Sequence, residues 1–184
     1  MEHTSLRLRF KSEALPLAVA KLGVPAFSRY ELACLVWKLY ETKSLNGAKI
    51  AGLSRAYPDA RAFHSAEAYL LRTALIKNLA QGRAAFYVWA GHGERELSKF
   101  ELISCLDPFG AISHLSAMEW HALTNRIAER VFFTSPTSTQ WQLLAREKMK
   151  TDLGASLHNF LNVEGLPALH RINIDRVGKR TINR

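Results

Sequence analysis

The chain has 184 residues, 48% of them apolar and 22% charged, which suits one ordinary domain or two small ones and excludes wholesale disorder or a fibrous repeat. Two cysteines, Cys34 and Cys105, are too few for a disulfide scaffold, and Lys21, Lys38, Arg72 and Lys77 interrupt every apolar stretch short of the ~18–20 residues of a membrane span. A reducing, cytoplasmic setting is therefore expected, and the net charge of +9 points to a partner that carries phosphates.

That charge is uneven: residues 1–93 hold 13 basic and 6 acidic side chains, a net of +7, against +2 over 94–184. At the N-terminus, Arg7, Arg9 and Lys11 precede an apolar run over 14–20 ending Ala18-Val19-Ala20, in outline a secretory signal. Glu13 opens that run and Lys21 closes it, leaving too short an apolar core, so export is not expected. Next, Leu32, Leu35, Val36, Leu39 and Tyr40 recur at the spacing of one helical face, with Arg29, Glu31, Lys38 and Glu41 on the other. Ser28, with Glu31 three residues on, has the form of a capping box, predicting a helix that ends near Thr42. Asn46-Gly47 predicts a turn, followed by a short helix over 48–56 that Tyr57-Pro58 terminates.

A single helix over 62–80 would place apolar side chains on nearly every face. Dividing it near Ala74 removes the conflict and predicts a helix over 63–74, a strand over 75–79, a turn at 80–83 and a strand over 85–90 rich in aromatic and β-branched residues. Three helices and a basic hairpin in this order predict a winged helix-turn-helix over 1–93, the last helix entering the major groove and the wing lying along the backbone. In that arrangement Arg72 would fork onto a guanine edge or a phosphate, while Ser65 and Thr73 donate to phosphates and Tyr69 does either. Lys77 and Arg83 would bring the wing to the backbone, and Arg55 and Arg61 extend the patch at the helix start. The competing reading makes Tyr69 a core aromatic and pairs Arg72 with Glu67 or Glu41.

Gly91-His92-Gly93 reads as a joint, beyond which residues 94–184 form a smaller mixed α/β domain, giving an α+β chain overall. Helices are expected over 99–106, broken by Asp107-Pro108, over 113–121, capped by Ser113 or Ser116, and over 139–149. Strands are expected over 131–134, 169–174 and 180–182, the last two joined by a turn near Val177-Gly178. Trp120 and Trp141 read as core residues.

Gly110, Ile112-Ser113, Ser116-Ala117 and His121 through Leu123, ahead of the strand over 131–134, resemble the motif that opens the second domain of the AbiEi antitoxins of type IV toxin–antitoxin and abortive-infection systems. Position 122 is Ala where that family usually has Gly, and family members continue past the position of Arg184, so the expectation is either a curtailed second domain or a chain that is a fragment. The resemblance implies a prokaryotic transcriptional repressor that autoregulates its operon by binding inverted repeats of double-stranded DNA; two copies on such a repeat are the expectation for any repressor with half-sites. It also implies a role against a nucleotidyltransferase toxin, without a stable complex between the two proteins.

Enzymatic chemistry has weaker support in the residues. His114 and His121 stand seven apart, about 10 Å along an ideal helix, too far to chelate one ion together with Glu119 or Asp107. Gly91-His92-Gly93 lacks the lysine and further glycine of a phosphate cradle, and neither cysteine has a neighbouring histidine in sequence. The expectation is a non-enzyme without catalytic residues, metal or cofactor. A protein-binding winged-helix module is the alternative, and a nuclease or transferase using His121 a distant third.

Overall fold

A computed structural model of the protein describes residues 7–80, 85–92, 97–172, 176–177 and 180–183, the last two segments by their backbone alone. The chain is α+β, with small sheets among its helices. Its first part runs β1 (Arg7–Arg9), a π-helical turn (Phe10–Ala14), α1 (Leu15–Ala20), β2 (Ala26–Ser28), α2 (Arg29–Thr42), β3 (Ser44–Leu45), β4 (Ala48–Ala51), α3 (Ala60–Arg72), β5 (Ile76–Ala80) and β6 (Phe86–Trp89). The second runs α4 (Lys99–Leu106), β7 (Ala111–Ile112), α5 (His114–Trp120), β8 (Val131–Thr134), α6 (Ser138–Leu153), α7 (Leu157–Asn162), β9 (Arg176–Val177) and β10 (Arg180–Asn183).

Helix α2 starts at the expected capping box: the Glu31 backbone N–H donates to Ser28 Oγ at 3.2 Å, and the Ser28 N–H donates to Glu31 Oε2 at 2.7 Å. Its burial exceeds one face, because Tyr30, Leu32, Ala33, Val36, Trp37, Leu39 and Tyr40 are all inside. The second part supplies the extra cover. Phe160 of α7 meets Tyr30 and Trp37 edge-on at 6.1 and 5.4 Å, and the Tyr30 hydroxyl donates to Asp152 of α6 at 3.1 Å.

The helix expected over 48–56 is instead a strand followed by irregular chain. Asn46 and Gly47 both take positive φ, +54° and +80°, which closes a two-residue hairpin of β3 onto β4. Along β4, Ala48 and Ile50 are buried while Lys49 and Ala51 are exposed, and β1 joins its free edge in parallel, pairing Arg7 with Lys49 and Arg9 with Ala51. Four residues cannot distinguish a period of two from one of 3.6; the distant β1 edge decides.

The division near Ala74 is observed. Asp59 caps α3 by accepting from the Ala62 N–H at 2.8 Å, and Ala74, at φ +55°, turns the chain out of the helix into β5. Strand β6 pairs antiparallel with β5 on one side and with β2 on the other, giving the order β2-β6-β5. The turn at 80–83 lies mostly outside the described residues.

In the second part, α4 has its own capping box in Ser98 and Glu101 and ends at Asp107-Pro108 as read. Ser116 is no cap: fully buried within α5, it accepts from the Phe132 N–H at 2.9 Å and so holds α5 on β8. Ala122 closes α5 with φ +54°, the left-handed geometry that glycine adopts without strain. Helix α6 runs longer than expected, and α7 had no counterpart in the sequence reading. Residues 169–172 form no strand; Leu169 and Ile172 are buried in different clusters, and the segment is held by these anchors rather than by a ladder. Strand β8 pairs with β7 and, in parallel, with β10.

Two apolar clusters stabilise the chain, and both cross the joint at Gly91. One gathers α1, α2 and α3 with Trp141, Ala145, Leu153 and Phe160; the other gathers Ala26 and Phe86 with Phe100, Ile103, Leu106, Val131 and Phe133. Buried Asp107 joins the end of α4 to α6, accepting from Trp141 Nε1 at 2.9 Å, from the Phe109 N–H at 3.0 Å and from the Ser135 hydroxyl.

Candidate nucleic-acid interface

Helix α3 presents a sharply two-sided surface. Phe63, Ala66 and Leu70 are fully buried and fix its inner face. At 100° per residue, Arg61, Ser65, Ala68 and Arg72 then fall opposite, within an arc of about 60° that extends roughly 16 Å along the axis. Arg61, Ala68 and Arg72 are exposed and Ser65 is half-buried, accepting from Lys11 Nζ at 2.7 Å. Tyr69 flanks this row, half-buried, with the Arg72 guanidinium 6.0 Å from its ring centroid. The Thr73 hydroxyl donates to the Tyr69 carbonyl at 2.8 Å, so its proton is occupied at the helix end.

Arg55, Arg61 and Ser65 line, with Lys11, an open hollow of about 410 Å³. Arg55 is exposed and ion-paired with Asp59. The Asp59 carboxyl is held below its ordinary range by the Ala62 N–H it caps, with Arg55 adding to the effect. Lys77 is exposed on β5, just past the helix. Arg83 lies outside the described residues.

Below the outer row, Glu67 is 12% exposed and binds Arg29 at two points, Nε at 2.6 Å and Nη2 at 2.9 Å. The Tyr87 hydroxyl donates to the same carboxylate, and His64 Nδ1 lies 3.4 Å from it. Burial pushes the Glu67 carboxyl upward, but hydrogen bonds from Arg29 and Tyr87 outweigh it and hold it below its ordinary value. Donating to Glu67 raises Arg29 in turn, and Tyr87 is raised by burial and then by its hydrogen bond to Glu67. This network locks α3 to the start of α2 and to β6. Neither acid weighed as a partner for Arg72 is placed for it: Glu67 holds Arg29, and Glu41 accepts from the Ser156 hydroxyl. A signal for the Arg29 pair was present in the sequence, since a cation in the first turn of a helix opposes the macrodipole unless a carboxylate meets it.

The chain matches no family model, no curated protein and no solved structure.

Elsewhere, Glu119 pairs with Lys99 at 3.0 Å and accepts from the Ala128 N–H, which occupies it structurally. Among the described residues no group of three or more His, Cys, Asp or Glu side chains is placed to hold a metal ion. Burial pushes the Cys34 thiol up to about 12 and raises Cys105 as well, so both are protonated and unreactive at neutral pH. Of the two tryptophans read as core, Trp141 is buried but Trp120 is 49% exposed. It touches Phe100 at 5.5 Å and sits in a stretch with Leu123 and Ile127, 71% and 69% exposed. Among the described residues, no helix is long and apolar enough to cross a membrane.

Proposed function

We propose that the chain is a sequence-specific, duplex-DNA-binding transcriptional repressor whose N-terminal part is a winged helix-turn-helix with α3 as its recognition helix. The observation that carries this reading is the outward row Arg61, Ser65, Ala68 and Arg72, set directly opposite the buried face of α3 in the more basic part of the chain. Support also comes from the element order, in which α1, β2, α2 and α3 precede the β5–β6 ribbon and β2 joins that ribbon to give β2-β6-β5. The β3–β4 hairpin replaces the short turn of a simple helix-turn-helix. Arg72 and Arg61 then meet base edges or phosphates, small Ser65 and Ala68 let the helix approach the groove floor, and Lys77 with Arg83 follows the backbone.

The resemblance to AbiEi antitoxins extends the proposal to a cytoplasmic autoregulator acting on an inverted repeat, linked functionally to a nucleotidyltransferase toxin, with neither catalytic residues nor cofactor. The test is a mobility shift with the gene's own upstream duplex against a scrambled one. Binding that prefers the upstream duplex and weakens steeply with salt supports the proposal; binding indifferent to salt overturns it. A second reading, a protein-binding module, is favoured by the exposed Trp120, Leu123 and Ile127, and predicts specific capture of a polypeptide with no preference between the two duplexes.

A further inference from the structure

The β1–β4 pair carries an arrangement that costs stability in isolation. Arg7 and Lys49 are register partners on neighbouring strands, and Arg9 follows two residues on, about 6.6 Å along the same face. All three are exposed, while Leu8, Ala48 and Ile50 point inward. Like charges directly opposite on a sheet repel, and among the described residues no ion pair engages any of the three side chains. The acid nearest Arg9 in sequence, Glu13, accepts from the Arg9 backbone N–H at 2.6 Å rather than from its guanidinium.

This face runs on into the hollow beside α3. Ala51, the register partner of Arg9, lines that hollow together with Arg55, Arg61 and Ser65, and Lys11, two residues past Arg9, reaches Ser65. Cations on the sheet, on the β4–α3 connection and on the helix therefore border one continuous surface.

We infer that the outer face of the β1–β4 sheet is a second phosphate-contacting surface, in which Arg7, Arg9 and Lys49 grip the DNA backbone beside the segment that α3 enters. The inference rests on the DNA-binding reading of α3 and adds a contact that a helix and a wing alone do not provide. Its chemistry is charge neutralisation without base readout, so it contributes affinity and salt dependence but no sequence preference.

The test compares the full chain with R7A/R9A/K49A and with the charge-keeping R7K/R9K/K49R, on upstream and scrambled duplexes across a salt series. For the alanine variant, the plot of log affinity against log salt becomes shallower by about 2–3 and the preference for the upstream duplex is kept. The charge-keeping variant retains the full slope. Its thermal midpoint matches the parent's, and that of the alanine variant is equal or higher, because a repulsion has been removed. An alanine variant with unchanged slope and affinity, or one that instead aggregates as an unguarded sheet edge would, overturns the inference while α3 binding stands; so does equal loss in both variants. Failure of the parent chain to bind either duplex overturns the DNA-binding reading itself, a different result.

Discussion

Arg29 opens α2 and Glu67 lies in the middle of α3, yet the two side chains meet at 2.6 Å as a two-point ion pair beneath the proposed recognition surface. Forked pairing of this kind fixes orientation as well as distance, so the pair reinforces the roll of α3 that its buried face sets. With Arg29 removed, Glu67 keeps only the Tyr87 hydroxyl and His64; with Glu67 removed, Arg29 keeps only His64 and the Phe63 ring, so each is left partly buried without its opposite charge. E67A is expected to cost about 2–3 kcal/mol in urea unfolding, and R29A a similar amount. The double variant should cost less than the two singles added together; strict additivity would show that the pair is not coupled.

The same carboxylate makes stability depend on pH. Its folded value lies below the ordinary 4.5, so the unfolded state takes up a proton first as pH falls. The contribution is fully present above about pH 5 and is lost as pH drops through the folded value. Thermal midpoints between pH 6 and pH 3 should therefore fall more steeply for the natural chain than for E67Q, which has no carboxyl to titrate; parallel curves would remove Glu67 from the account.

On the outer row, R72A is expected to weaken binding to the upstream duplex by about 1–3 kcal/mol and to narrow the gap between upstream and scrambled duplexes, as loss of a base contact does. R61A, at the other end of the row, serves as the comparison. Both residues are exposed, so neither substitution should shift the unfolding midpoint by more than a surface change does, about 0.5 kcal/mol.

Asp59 offers a gain of function. Its carboxylate caps α3 and also holds Arg55 at the rim of the basic hollow. Asparagine caps as well as aspartate, so D59N keeps the helix while releasing Arg55 and removing a negative charge from the interface. Affinity for any duplex should rise several-fold at low salt, measured by titration, with helix content unchanged. Weaker binding would show that Asp59 positions Arg55 rather than restraining it.

Ala122 tests the backbone directly. At φ +54° an alanine Cβ crowds its own carbonyl, and A122G removes that strain against a smaller entropic penalty in the unfolded chain. The variant should be more stable by about 0.5–1 kcal/mol in chemical denaturation. No gain would mean that the end of α5 relaxes at little cost.

Features governed by neighbours within a few residues were legible in the amino-acid order. Ser28 with Glu31, Asn46-Gly47, the break near Ala74 and Asp107-Pro108 all mark element boundaries, because capping, turn geometry and proline sterics act over one turn of chain. The helix expected over 63–74 starts earlier, at Ala60, and only that earlier start brings Arg61 onto α3 opposite Phe63, Ala66 and Leu70. What spans tens of residues was settled by the tertiary structure alone. Residues 48–51 became a strand because β1 supplied an edge, α2 was enclosed because Phe160 arrived from the other end of the chain, and Arg29 found Glu67 because two helices crossed there. Trp120 stayed half outside although an aromatic side chain suits a core, touching Phe100 while Leu123 and Ile127 beside it are exposed too. Long-range partners such as these are chosen by packing and strand register, which local propensity does not encode.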